Sequence, residues 1–411
     1  MQKDDIRRNF PALDRGAAYF DAPGGTQAPR AVSEAMTDYL FHHNANTHWA
    51  YPTSEETDAI LWSARESVAA FFNCSPREVA FGANMTTLTF HAARAVARTW
   101  SRGDEVIITE LDHHGNVAPW RALERDFGIV VKRARMIRET AQVDYEHVAS
   151  LVNSKTRLVA IGGASNAVGT INDLDRVRAI ARDAGALLYV DAVHLAPHEL
   201  IDVARIGCDF LACSSYKFYG PHAGILFVRE ELMASLPWPR LDPAPNEPPE
   251  IAETGTQNHE AIAGVGATIE FIASIGGQSP SPVPPDRQAG APVLHGTLRE
   301  RLVHSYERLH EEGQRYSATL WNALSQLKRV RLYGPPPSQP RTPTIAFTVD
   351  GMTAEQVTRA LVNDALFTSH GDFYAATVIE VLGVEALVRA GCACYTNDEE
   401  VARLIEALSK L

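Results

Sequence analysis

The sequence predicts an α/β protein: a mostly parallel seven-stranded sheet with helices between its strands, then a smaller α+β domain at the C-terminal end. Three observations predict it. Seven short apolar runs lie between Val79 and Val228, and helical patterns separate most of them, the alternation expected of parallel strands joined by crossover helices. Composition then shifts, first to a proline-rich stretch at Leu236–Pro249 and later to a Gly/Pro/Ser-rich run at Gly276–Gly296, both of which read as loop or linker. Beyond that run, a long helical pattern precedes further strands and helices.

The elements follow in order. A helix is expected from Pro29 to Ala45, with proline near its start, where the missing N–H costs nothing. Thr53 and Glu56 make a capping-box pattern ahead of a helix carrying Ile60, Leu61, Ala64, Val68 and Phe71 on one face. Strands are expected at Val79–Phe81, Val106–Thr109, Ile129–Val131, Leu158–Ile161, Leu187–Val190, Phe210–Cys213 and Ile225–Val228. The connection Ser214–Gly224 is too short for a crossover helix, so the last strand should pair antiparallel. The second part reads as a helix over Thr297–Leu327, strands at Val330–Tyr333 and Thr344–Val349, and a helix at Ala354–Asp364. A strand near Phe367, a helix at Tyr374–Leu382, a strand at Ala386–Cys394 and a helix from Asn397 complete it. The division is 17–275 for the large domain, 276–296 for a linker or insertion, and 297–411 for the small domain.

Length and composition narrow the functional classes. A chain of 411 residues, 45% hydrophobic and 21% charged, has an ordinary globular composition. Its net charge of −12 argues against a nucleic-acid-binding face. No apolar run reaches the roughly 18 residues of a membrane helix, and the first sixteen residues lack the apolar core of a secretory signal. Five cysteines, an odd and sparse set, point to reduced thiols and a cytoplasmic location. With neither a CxxC pair nor an HExxH helix, no metal site is expected.

Chemistry concentrates between Leu187 and Gly224. Asp191 ends one expected strand and Lys217 follows another; in parallel sheets that edge holds ligands. A lysine amine forms a Schiff base with an aldehyde, and a buried carboxylate pairs with a protonated pyridine nitrogen. Pyridoxal phosphate (PLP) needs both. Alone the pair says little, since strand-end aspartates and solvated lysines are common.

The surrounding residues say more. SSYKFYGPHAG, around Lys217, resembles the lysine segment of the class V aminotransferase and cysteine desulfurase family of fold type I PLP enzymes. YVDAVHLAPH, around Asp191, resembles that family's aspartate segment. The resemblance implies a PLP-binding large domain, with residues 1–16 folded back onto the small one, and it gives each further motif a role. Phe81–Thr87 joins a strand to an apolar helix, the arrangement that presents N–H groups to a phosphate. On its own it is a turn with a polar cap. By resemblance it is the phosphate loop, with Asn84, Met85 and Thr86 at the contact positions and Met85 offering only its backbone N–H.

Glu110–Asn116 with Trp120 resembles the family's E-x-x-H-H-x-N-x-x-P-W segment, which implies that His113 stacks on the cofactor as a flat, proton-moving imidazole. Asn166, in an S-N-x-x-G stretch, is implied to donate to the cofactor's phenolic oxygen, and His194 is loosely matched to a second group there. Ser214 and Tyr216 are placed to bond the phosphate. Thr256, within Glu253–Asn258, resembles a residue that reaches the neighbouring subunit's phosphate, which implies a homodimer. The same stretch also reads as an N-cap for the helix from His259. Arg389 matches the family's arginine for a substrate carboxylate, a task suited to a guanidinium fork. Gly24 and Gly25 resemble the substrate-side loop, where glycine permits close approach, and His370 and Tyr374 are expected to line that side.

The catalytic set is therefore Lys217, Asp191 and His113, acting on a small amino acid. One departure matters. Desulfurases carry a persulfide-forming cysteine where this chain reads Phe367–Ala375 with no cysteine. Cys392 and Cys394 come later, on an expected strand, and read as small core residues. This favours a desulfurase-like C–S lyase that works by β-elimination on cysteine or a cysteine derivative. Transamination, in a class V aminotransferase, and epimerisation share the first steps and stay open, as does a non-catalytic scaffold on the same fold.

Overall fold

In the computed structural model, which describes residues 1–277 and 297–411, the seven expected strands form one sheet. They are β1 (Val79–Gly82), β2 (Glu105–Thr109), β3 (Val130–Ala134), β4 (Thr156–Gly162), β5 (Leu187–Asp191), β6 (Phe210–Ser214) and β7 (Gly224–Val228), in the spatial order β1-β7-β6-β5-β4-β2-β3. The strands from β3 across to β6 are parallel. β7 runs antiparallel between β6 and β1, as its short connection requires. Both faces are covered: Val159 and Ile161 of β4 belong to one core cluster, Leu158 and Ala160 to the other. Alternation of side chains across the sheet sends them to opposite cores, and each large aliphatic side chain so buried contributes about 1.5–3 kcal/mol.

The helices of this part include α1 (Arg30–Asp38), α2 (Pro52–Phe72), α3 (Met85–Ala97) and α4 (His259–Ile275). Two expectations shift. The helix from Pro29 passes into a π turn at Tyr39–His43. The capping box at Thr53 does not form: Tyr51 is the N-cap and Pro52 opens α2. Thr53 is thus already inside the first turn, and Glu56 meets His43 at 2.8 Å instead.

A second sheet holds four antiparallel strands, β8 (Val330–Tyr333), β9 (Thr344–Val349), β10 (Ser369–Gly371) and β11 (Leu387–Gly391), in the order β8-β9-β11-β10. It packs on α5 (Leu298–Leu324) and α6 (Asp398–Ser409) through Leu320, Leu324, Phe347 and Leu404. Thr297 and Glu300 form a capping box at the start of α5. Ala18–Tyr19 pairs parallel with Leu366–Phe367, and Gly391 N–H donates to Phe20 O at 2.7 Å. Those bonds bring the turn that begins at Asp21 to the end of β11. Nearer the start of the chain, Phe10 sets its ring against Tyr219, Phe271 and Tyr395, and Lys3 pairs with Glu312. The segment read as a linker lies outside the described residues, apart from Gly276 and Gly277. No helix among the described residues is long and apolar enough to cross a membrane.

Candidate active site

At the carboxyl ends of β4, β5 and β6, beside the start of α3, lies a cavity of about 420 Å³, within the usual range for a small-molecule site. Its walls include Met85, Thr86, His113, Asn166, Asp191, His194, Ser214, Tyr216 and Lys217. A larger cavity of about 800 Å³, lined by Tyr145, Asp173, Arg205 and His310 among others, contains none of the predicted site residues. Chemistry, not size, selects the smaller one.

Asp191 is buried, and its Oδ1 accepts the Val193 N–H at 2.9 Å. Its second oxygen has no hydrogen-bond partner among the described residues. Burial pushes the carboxyl up to about 6, against the pull of the Val193 N–H and of Lys217. Lys217 is half-buried, and burial, followed by the charge of Arg389, lowers its amine to about 8. Its Nζ donates to Pro23 O at 2.6 Å and Gly24 O at 2.8 Å. His113 Nδ1 accepts the Gly115 N–H at 2.9 Å, so the neutral ring carries its proton on Nε2. Burial first, and Lys217 second, drive that imidazole down to about 4. It is uncharged at neutral pH and suited to lie against an aromatic ring.

Asn84 caps α3, its Oδ1 accepting the Thr87 N–H at 2.8 Å. Met85 N–H, expected to face a phosphate, donates to Ser214 Oγ at 2.9 Å and ties the helix to the lysine segment. A Cβ on Gly115 would lie 2.9 Å from both His113 Nδ1 and Thr86 Oγ1, so glycine lets those two side chains converge. Asn166 gives its amide nitrogen to Phe373 O at 2.9 Å. His194 is in the wall, but its Nε2 lies 3.1 and 3.0 Å from the Thr342 and Thr344 hydroxyls, turned toward the second sheet.

Arg389 is buried beside the cavity. Its Nη1 donates to Asn166 O at 2.9 Å and its Nε to Ser369 Oγ at 3.2 Å, and its Cζ sits 4.0 Å from the centre of the Phe373 ring. Tyr374 is exposed, with its ring 5.8 Å from that of His113. Gly24 lies at the Lys217 amine, and Gly25 lies against the Tyr216 ring.

The structure does not bring His370 to this cavity. Ser369 pairs with Arg389 across the β10–β11 ladder and His370 with Val388. Paired residues share a face, so Ser369 points to the site and His370 to the opposite side, where it lines a cavity with Tyr333 and Glu355. Thr256 is exposed and outside the cavity of its own chain; the N-cap of α4 is Asn258. Residues the sequence reading passed over are Asp112, Ser165, Ser369, Asp21 and His222. Asp112 lines the cavity, its Oδ2 accepting both the N–H and the hydroxyl of Thr109 at 2.9 Å. It lies inside the Glu110–Asn116 stretch, directly before His113.

The residues present fit PLP. A lysine amine, a buried carboxylate, a flat neutral imidazole and a helix N-terminus surround one cavity, and two buried polar atoms in its wall, Ser165 Oγ and Asn166 Oδ1, have no partner among the described residues. Such atoms call for an occupant. Comparison with known proteins agrees. The family model described as Aminotransferase class-V matches residues 18–280 and 300–404. A probable cysteine desulfurase of Synechocystis sp. is 31% identical over 98% of this chain and 94% of its own length. An uncharacterized protein of Mycobacterium tuberculosis is 30% identical over 99% and 98%. The apo structure of a cysteine desulfurase from Thermococcus onnurineus NA1 superposes with a TM-score of 0.87 at 25% identity, covering 99% of this chain and 97% of that one. Fold and site together define a PLP-dependent enzyme. The chain belongs to the aminotransferase class V family, and within it to the cysteine desulfurase type.

Proposed function

We propose that this enzyme is a C–S lyase that cleaves cysteine, or a close cysteine derivative, by β-elimination. One observation carries the reading. The Phe367–Ala375 segment reaches the site through Phe373 and Tyr374, and it has no thiol to receive sulfur. Cys392 and Cys394 do not replace it, since both are buried and burial pushes their thiols up to about 12. A thiol so hard to ionise is a poor nucleophile.

Bound PLP supplies an electron sink conjugated to the substrate's Cα. In this reading Lys217 takes the Cα proton, with an amine already lowered to about 8. Asp191 would hold the cofactor's pyridine nitrogen in its charged form, and His113 would offer its neutral ring to the cofactor. Arg389 fixes the substrate carboxylate and so turns the Cα–H bond toward the lysine. Once that proton has gone, the Cβ–S bond breaks with its electron pair on sulfur. The thiolate takes the proton that Lys217 carries, and hydrolysis of the released three-carbon enamine gives pyruvate and ammonium. Thr86 and the start of α3 serve the phosphate. The working unit in this reading is a homodimer, with the exposed Thr256 reaching the partner's phosphate.

The test is product analysis on cofactor-loaded protein given L-cysteine. Equal amounts of pyruvate and sulfide support the lyase. Alanine with protein-bound sulfur, or turnover only in the presence of an added keto acid, overturns it.

A further inference from the structure

Asp21 was not singled out in the sequence, yet it meets the substrate-side cation. Its Oδ1 lies 3.5 Å from Nη2 of Arg389. The arginine side chain is 4% exposed and the aspartate 44%. The guanidinium is fixed by Asn166 O, Ser369 Oγ and the Phe373 ring. The carboxylate, half in solvent, is the partner free to leave.

The same turn also holds the lysine. Gly24 and Gly25 N–H groups donate to Asp21 O at 2.9 and 3.0 Å, closing a turn whose Pro23 and Gly24 carbonyls accept from Lys217 Nζ. A Cβ on Gly24 would lie 2.5 Å from Asp21 Oδ1, so the carboxylate folds over its own turn only because residue 24 is glycine. One short turn thus occupies both the reactive amine and the buried guanidinium.

We propose that Asp21 is a latch: it stands in for the substrate's carboxylate on Arg389, and a substrate enters by displacing it. The inference rests on the reading of Arg389 as carboxylate anchor. Its consequence has the opposite sign to ordinary damage. Removing the competing carboxylate makes a carboxylate ligand bind more tightly, whereas a disturbed site would bind it less.

The probe is propionate, which has a carboxylate but neither amine nor thiol, titrated into cofactor-loaded protein by ligand-observed NMR. Asp21→Asn and Asp21→Ser are expected to bind it roughly three- to ten-fold more tightly than the unaltered protein, and Arg389→Gln is expected to lose the binding. Unchanged or weaker binding in both Asp21 variants, with binding still dependent on Arg389, overturns the latch alone. Binding that ignores Arg389 overturns the latch and the anchor together.

Discussion

Asp112 is tied to Asp191 through a single residue: the Gly162 N–H donates to Asp112 Oδ1, and Gly162 is the partner of Asp191 across the β4–β5 ladder. Two buried carboxylates therefore share the cavity wall. Burial pushes the Asp112 carboxyl up to about 7; its bonds to Thr109 and Gly162 oppose that, and the charge of Asp191 adds to it. Asp112 also precedes His113, so its bonds hold the backbone from which the imidazole hangs.

This pairing gives a pH signature in stability. A carboxyl whose folded value lies near 7 rather than at the ordinary 3.8 keeps its proton in the folded chain while the unfolded chain has lost it. Between those values the folded state binds more protons, so this group's contribution to stability falls as pH rises through that window. Asp112→Asn removes the term. Urea midpoints at pH 4.5 and 7.5 should show the unaltered protein losing more stability over that interval than the variant; equal losses would contradict the assignment.

The lowered amine of Lys217 sets a second pH dependence. Below about 8 it is protonated and cannot accept the Cα proton. The rate at saturating cysteine should rise with pH, with a midpoint below the ordinary lysine value of 10.5. A rate flat from pH 6 to 9 would show that this amine is not the base.

Phe373 and Tyr374 both have left-handed backbones, at φ 55° and 56°, a conformation that costs a side-chain-bearing residue roughly 1 kcal/mol. Tyr374→Gly should relieve that cost and raise the urea midpoint, while removing the ring beside His113 and slowing turnover. A variant both less stable and fully active would contradict this account of the loop.

Much of this was legible in the sequence, for local reasons. Six of the seven strands of the main sheet are short, largely buried runs; β3, at the sheet edge, keeps Val130 and Arg133 exposed. Asp191 and Lys217 announce themselves by following two of the buried ones. The helices expected from His259, Thr297 and Asn397 begin within a residue of those positions, capped by Asn258, Thr297 and Asn397. What escaped depends on distant partners. His370 faces away from the site and Ser369 toward it, because the face of a three-residue edge strand is fixed only by its register with Arg389. Asp21 meets an arginine at the far end of the chain, and nothing near it signals that contact. Met85 offers its N–H to Ser214, a bond that exists only once β6 lies beside α3. The Thr53 box gave way because Pro52 starts the helix two residues earlier, with Tyr51 as its N-cap.

The most direct test concerns Lys217 itself. Cofactor-loaded protein is reduced with borohydride, digested, and its peptides weighed by mass spectrometry. The account predicts the mass of the reduced cofactor on Lys217 alone, and no label in Lys217→Ala. Label on another lysine, such as Lys132 or Lys155, with Lys217 unmodified, would contradict it.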